Sequence, residues 1–241
     1  EGQTPVEYAT NQGKLYKELS EDTKSSIASK LQKVQKSVKD KIKSKNIRMD
    51  HKKSFSTAFN GFSGEVTYKD IAKIEGIAGV KNVYLANEYN RPEEAPDMKT
   101  SHNYIQSQAT WADAKLKGEG MIVSVIDTGV DPSHKDFVLT DKSQAELTKE
   151  ETDALVTEEG LKGKYYSDKV PYGYNYYDEN QTILDLGPEA SMHGMHVAGT
   201  VAANGDEATG GIKGVAPEAQ VLGMKVFSND PEYPSTWSDV Y

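Results

Sequence analysis

Two residues of this chain stand in contexts that could do acid–base chemistry. Asp127 ends the apolar run Met121-Ile122-Val123-Ser124-Val125-Ile126 and is followed by Thr128-Gly129-Val130-Asp131. His193 opens His193-Gly194-Met195-His196-Val197-Ala198-Gly199-Thr200, a segment of small residues. The first context predicts a strand end with a sharp turn at Gly129, and the second a helix start. A carboxylate so placed can accept a hydrogen bond from imidazole Nδ1–H, which fixes the tautomer and leaves Nε2 as a base. The positive helix end disfavours an imidazolium, whereas the carboxylate stabilises the one formed when the histidine takes a proton. Together the pair is two thirds of an Asp-His-Ser hydrolase, with the serine expected last.

Taken singly, each residue has a plainer reading. An Asp after an apolar strand is often a turn former, and a His within a helix is often a core residue. The two local sequences together favour catalysis. His196 falls one turn after His193 and reads as packing. As metal ligands, His193 and His196 have only i, i+3 spacing, with no cysteine and no defined third ligand. A metal-dependent hydrolase is therefore the lesser enzymatic reading.

The elements that must position the pair follow from periodicity. A helix is expected near Ser107–Leu116, a strand over 121–126, a helix from about His193 to Ala203, and a strand over Val221–Val226. Strand, long excursion, helix and strand begin a parallel α/β sheet, whose sites lie at the carboxyl ends of the strands. The preceding region reads differently. Residues 1–19 are polar and expected to be flexible. From Ser20, Ile27, Leu31, Val34, Val38 and Ile42 recur at helical spacing, with lysines on the solvated face. Residues 54–67 predict a hairpin turned at Asn60-Gly61. Residues 68–77 predict a helix with Ile71, Ile74 and Ile77 inward, and Val80–Leu85 a further strand. This is a small α+β unit of about 75 residues. Residues 86–100 have linker composition.

Composition narrows the classes. Apolar residues make up 36% and charged residues 27% of the chain, enough for a core. No apolar run approaches the roughly 20 residues of a membrane span. There are no cysteines, which excludes disulfides and thiolate chemistry. The net charge of −9 argues against nonspecific nucleic-acid binding. A lysine-rich stretch at 14–53 and an acidic one at 141–160 suggest two units with different tasks. The start at Glu1, with no signal peptide, leads to the expectation of a processed or trimmed product.

At these residues the chain resembles the subtilisin-like serine proteases, or subtilases. Val125–His134 is similar to their aspartate motif, His193–Thr200 to their histidine motif, and Gly214-Val215-Ala216-Pro217-Glu218-Ala219 to the turn that follows. Residues 105–241 resemble in particular the cell-envelope subtilases of Gram-positive bacteria, the lactocepin and C5a-peptidase group. Lys115–Asp127, Lys169–Tyr176, His193–His196 (with Met195) and Ala219–Phe227 carry this likeness. Phe59–Gly64 and Gly79–Val83 are similar to the inhibitor-type subtilase propeptide.

The resemblance implies a propeptide over 1–97, acting as intramolecular chaperone and inhibitor, and the N-terminal portion of a parallel-sheet catalytic domain over 98–241. It places the segment after Leu85 in the substrate cleft, self-cleavage within 87–100, and a zymogen if the join is uncut. It makes Asp127 and His193 catalytic. Asp136 matches a calcium-ligand position, with Asn204, Asp206 and Glu207 as neighbouring oxygen donors; no cofactor is required for the chemistry itself. The serine motif, the oxyanion asparagine and the substrate-binding strand are expected beyond Tyr241. Ser191, Ser228 and Ser238 lack the nucleophile context, so this chain alone is expected to be inactive. The implied function is a secreted or cell-wall-associated serine endopeptidase acting on protein or peptide substrates, completed by the remainder of its catalytic domain. The rival is a non-catalytic inhibitor-chaperone or protease-like adhesin.

Overall fold

The computed structural model describes residues 2–92, 101–187 and 190–240. The chain forms two compact units, Glu1–Ala86 and Asn87–Tyr241. The expected domain boundary at 97/98 lies outside the described residues.

The first unit contains α1 (Pro5–Asn11), α2 (Glu21–Ser44), β1 (Asp50–Phe55), β2 (Gly61–Glu65) and α3 (Ile71–Glu75). The start of the chain is structured, contrary to expectation. Thr4 Oγ1 accepts from the Glu7 N–H at 3.1 Å, and the Glu7 carboxylate accepts from the Thr4 N–H at 2.8 Å. This reciprocal cap, with Pro5 in the first turn, satisfies donors that would otherwise be orphaned. Ser20 caps α2 as its position suggested. Leu31, Val38 and Ile42 are buried along one face of α2. Val38 and Ile42 join Ile47, Ile74 and Ile77 in a core flanked by Phe62, Val80 and Val83.

The hairpin differs from expectation in its turn. Phe55 stands opposite Gly61, so residues 56–60 form the connection rather than Asn60-Gly61 alone. Asn60 is used instead as a tether, its side-chain oxygen accepting from Gln35 Nε2 at 3.1 Å. Residues 80–85 form no strand. Val80 and Val83 pack on the core, while Tyr84 and Leu85 are exposed.

The second unit contains β3 (Glu88–Asn90), α4 (Ser101–Ile105), α5 (Ser107–Ala114), β4 (Ile122–Asp127), α6 (Lys149–Glu158), β5 (Tyr172–Asn175), α7 (His193–Ala202), β6 (Gln220–Lys225) and β7 (Ser235–Trp237). Strands β4, β6 and β5 lie side by side in that order, all parallel, with Asp127 opposite Lys225. The chain leaves β4, forms β5 on the far side, and returns to fill the middle with β6. Val125, Val170, Ile183, Ala198, Ala202 and Val221 belong to the core under this sheet. The alanines of α7 are fully buried, which lets a helix backbone sit close to the strands. β3 and β7 form a separate antiparallel pair.

Candidate functional site

β4 delivers Asp127 to the carboxyl end of the sheet, where the Val226 N–H holds its carbonyl at 3.0 Å. The chain must turn at once. Gly129 adopts φ +140°, and a Cβ there would come within 2.5 Å of the Ile183 carbonyl oxygen. Only glycine tolerates both the dihedral and the approach.

α7 delivers His193 from a position 66 residues away in the chain. Its first turn is pinned to the end of β4 by the Gly194 N–H, which donates to Thr128 Oγ1 at 3.1 Å. A Cβ on Gly194 would lie 2.5 Å from the Gly129 carbonyl oxygen and 3.0 Å from Asp127 Cβ, so the close approach depends on this glycine. The chain enters the helix through Met192 at φ +54°, a left-handed conformation that costs a non-glycine residue roughly 1–3 kcal/mol.

The result is a bifurcated contact. His193 Nδ1 lies 2.9 Å from Asp127 Oδ1 and 3.0 Å from Oδ2. Asp127 Oδ1 also accepts from the Thr128 N–H at 2.6 Å. An ionised carboxylate is an acceptor, so Nδ1 carries the hydrogen and Nε2 presents a lone pair. The His193 side chain is 28% exposed and that of Asp127 15%. The imidazole is thus reachable while its partner is shielded, as a base acting on a bound substrate requires. Among the described residues Nε2 has no hydrogen-bond partner.

Lys225 supports the turn. Its side chain is fully buried and its ammonium donates to the Thr128 carbonyl. Burial depresses this ammonium to about 8, with Asp185 opposing. Met195 supports it from the helix side, its sulfur accepting from the Asp131 N–H at 3.3 Å. Sequence reasoning missed Thr128 and Lys225. A lysine inside the apolar run Val221–Phe227 was the available signal, since a buried cation must find an acceptor.

The three remaining serines are engaged in other hydrogen bonds. Ser191 Oγ donates to the Pro92 carbonyl at 3.0 Å, and Ser228 Oγ to Asp178 at 2.5 Å. Ser238 Oγ accepts from the Asn87 N–H at 3.0 Å. His196 packs within the helix, its buried Nδ1 unpartnered among the described residues. No three acidic or histidine side chains among the described residues converge on a metal position.

Asp136 is buried, and its neighbours do not assemble a calcium shell. Its carboxylate accepts from Lys135 Nζ at 2.9 Å and from the Ile212 N–H at 3.2 Å. Burial pushes this carboxyl up, but those two hydrogen bonds, with the charges of Lys135 and His134, together hold it below the usual range. The Asn204 side-chain oxygen is turned to Lys213 Nζ at 2.7 Å, and the Asp206 carboxylate caps the Ala208 N–H at 3.0 Å. Calcium needs six to eight oxygens facing inward. Here the Lys135 ammonium faces Asp136 and the Lys213 ammonium faces Asn204 instead.

Residues 118–239 match the subtilase family, and residues 13–91 match the peptidase inhibitor I9 family. The chain is 46% identical over 187 residues to the PII-type proteinase of Lacticaseibacillus paracasei, covering 77% of this chain and 10% of that protein. It is 33% identical over 189 residues to the minor extracellular protease Vpr of Bacillus subtilis (strain 168), covering 72% of this chain and 20% of that protein. It is 36% identical over 115 residues to a C5a peptidase of Streptococcus pyogenes, covering 46% of this chain and 9% of that protein. The chain therefore spans about a tenth of the length of the PII-type proteinase.

Proposed function

This chain belongs to the subtilase family, and from that membership we propose that it is the propeptide and first catalytic segment of an extracellular serine endopeptidase. The observation that carries the reading is the contact of His193 Nδ1 with both oxygens of Asp127 at 2.9 and 3.0 Å, with Nε2 facing away. Asp127 orients His193. His193 takes the proton of a serine contributed from outside residues 1–241, and the serine oxygen attacks the peptide carbonyl. The imidazolium then protonates the leaving amine, and water hydrolyses the acyl-enzyme.

Residues 1–97 act as chaperone and inhibitor, with cleavage within 87–100. The inhibitor match over 13–91 supports this assignment. An extracellular location is supported by the likeness to a protease named extracellular. No helix among the described residues is long and apolar enough to cross a membrane.

The test is peptide hydrolysis and fluorophosphonate labelling of the full-length protein. Asp127→Asn is expected to lower kcat by about 10⁴-fold, because the wrong tautomer is then held. His193→Ala is expected to cost at least as much. Wild-type turnover by Asp127→Asn would sink the triad assignment. A folded wild type that neither labels nor hydrolyses peptide would favour a non-catalytic inhibitor-chaperone or binding role.

A further inference from the structure

The inhibitor match ends at Arg91, yet residues 87–92 belong to the second compact unit. Glu88, Tyr89 and Asn90 pair antiparallel with Trp237, Thr236 and Ser235. The Arg91 N–H continues the ladder to the Pro234 carbonyl at 3.0 Å. Pro92 then accepts from Ser191 Oγ, the same atom that accepts from the His193 N–H at 3.3 Å. An extended segment therefore lies on a strand of this unit and ends beside the backbone of the candidate base.

Arg91 is the deeply inserted residue of that segment. Its side chain is 9% exposed and that of its partner Asp185 is 0% exposed. Nη1 donates to Asp185 Oδ1 at 2.7 Å, Nη2 donates to the Ser228 carbonyl, and the guanidinium stands 5.6 Å from the centre of the Phe227 ring. Gly187 makes the room, since a Cβ there would meet Nη2 at 2.5 Å. A buried carboxylate, a carbonyl, an aromatic face and a glycine floor are what a guanidinium-selective pocket needs.

The pocket is only half used by its occupant. Arg91 Nε and Asp185 Oδ2 are both buried and unpartnered among the described residues. A pair kept for stability would be expected to saturate both groups, because each orphan costs free energy. A pocket that must accept and release successive peptides is under no such demand.

We propose that Asp185, Gly187, Phe227 and the Ser228 carbonyl form a subsite for a basic peptide side chain, preferring arginine, and that Arg91 holds it as an internal stand-in for substrate. This rests on the protease reading above for its use in catalysis, but not for its binding. The discriminating group is Asp185, which acts on peptide selection and not on the reacting atoms.

The test is fluorescence anisotropy with labelled Glu-Tyr-Asn-X-Pro peptides, X being arginine, citrulline or norleucine. The protein is the full-length polypeptide carrying Arg91→Gln, which empties the side-chain pocket, together with Tyr89→Pro, whose ring cannot join the backbone ladder to Thr236 and so frees the strand edge. Arginine is expected to bind roughly 10- to 100-fold tighter than citrulline, the range for a buried charged hydrogen bond. Adding Asp185→Asn is expected to bring that ratio close to one, and circular dichroism checks that this variant is folded. Equal binding of the arginine and citrulline peptides to the protein carrying Tyr89→Pro and Arg91→Gln overturns the subsite, as does no binding of either. Hydrolysis of the same peptides by the wild type reports separately on the protease reading. Arginine-selective binding without turnover would remove that reading and leave the subsite standing.

Discussion

Replacing Gly194 with alanine adds one methyl group at the junction of α7 and β4. The new Cβ would lie 2.5 Å from the Gly129 carbonyl oxygen, 2.9 Å from its nitrogen and 3.0 Å from Asp127 Cβ. None of these atoms ends a flexible side chain, so none can swing aside. To restore a contact of 3.4 Å, the helix end must retreat by about 0.9 Å. His193 is the residue before Gly194 and moves with it. Its Nδ1 contacts at 2.9 and 3.0 Å would stretch beyond about 3.5 Å, where a hydrogen bond is largely lost. Overpacking of this kind costs about 1–3 kcal/mol of stability. A displacement near 1 Å at a catalytic group costs on the order of 10²-fold in rate. Gly199→Ala is the matched control, because its Cβ would meet nothing nearer than 3.9 Å. It should gain about 0.5–1 kcal/mol from reduced chain entropy. The assay is kcat/KM for a peptide substrate together with the urea midpoint, on full-length protein. A Gly194→Ala protein with unchanged kcat/KM and midpoint, or a Gly199→Ala protein equally impaired, would refute the reasoning.

Two further outcomes concern stability. Thr4→Ala removes the cap of α1 and should cost about 1 kcal/mol, read as roughly fivefold faster hydrogen exchange at the Glu7 amide; unchanged exchange would mean the cap contributes nothing. Lys169 is fully buried, donates to the Pro217 carbonyl at 2.6 Å, and is depressed by burial to about 8 from 10.5. Below about pH 8 both folded and unfolded chains bind this proton and the cost of burying the charge is fully present. Between about 8 and 10.5 only the unfolded chain binds it, so stability rises with pH there. Urea midpoints of wild type and Lys169→Met at pH 7.5 and 9.5 check this. The wild type should gain, relative to the variant, on the order of 1–2 kcal/mol, and parallel pH dependence of the two would contradict the assignment.

The sequence was most legible where a local pattern had a local cause. Helical spacing from Ile27 to Ile42 gave α2, and the apolar runs before Asp127 and around Val221 gave two of the three parallel strands. Where signals were weak or a partner had to exist elsewhere, reading by pattern failed. Residues 1–19 were expected to be flexible because they are polar, yet Thr4-Pro5-Val6-Glu7 is a capping box that polarity obscures. Val80–Leu85 has strand composition, but no described strand lies beside it to complete a ladder. β5 was not foreseen as a strand, because Tyr172-Gly173-Tyr174-Asn175 lacks the apolar alternation that marks one.

For the site, the sequence by itself determined the chemistry available: a carboxylate after a strand, an imidazole at a helix start, and glycines beside both. Local residue type sets protonation chemistry and turn geometry, and those need no distant partner. Only the tertiary structure decided that the two side chains meet, that Lys225 braces the Thr128 carbonyl, and that Arg91 reaches Asp185 across 94 positions of chain. Such pairings depend on sheet register and on which groups are withdrawn from water. Those are properties of the whole packed fold, and no window of neighbouring residues contains them.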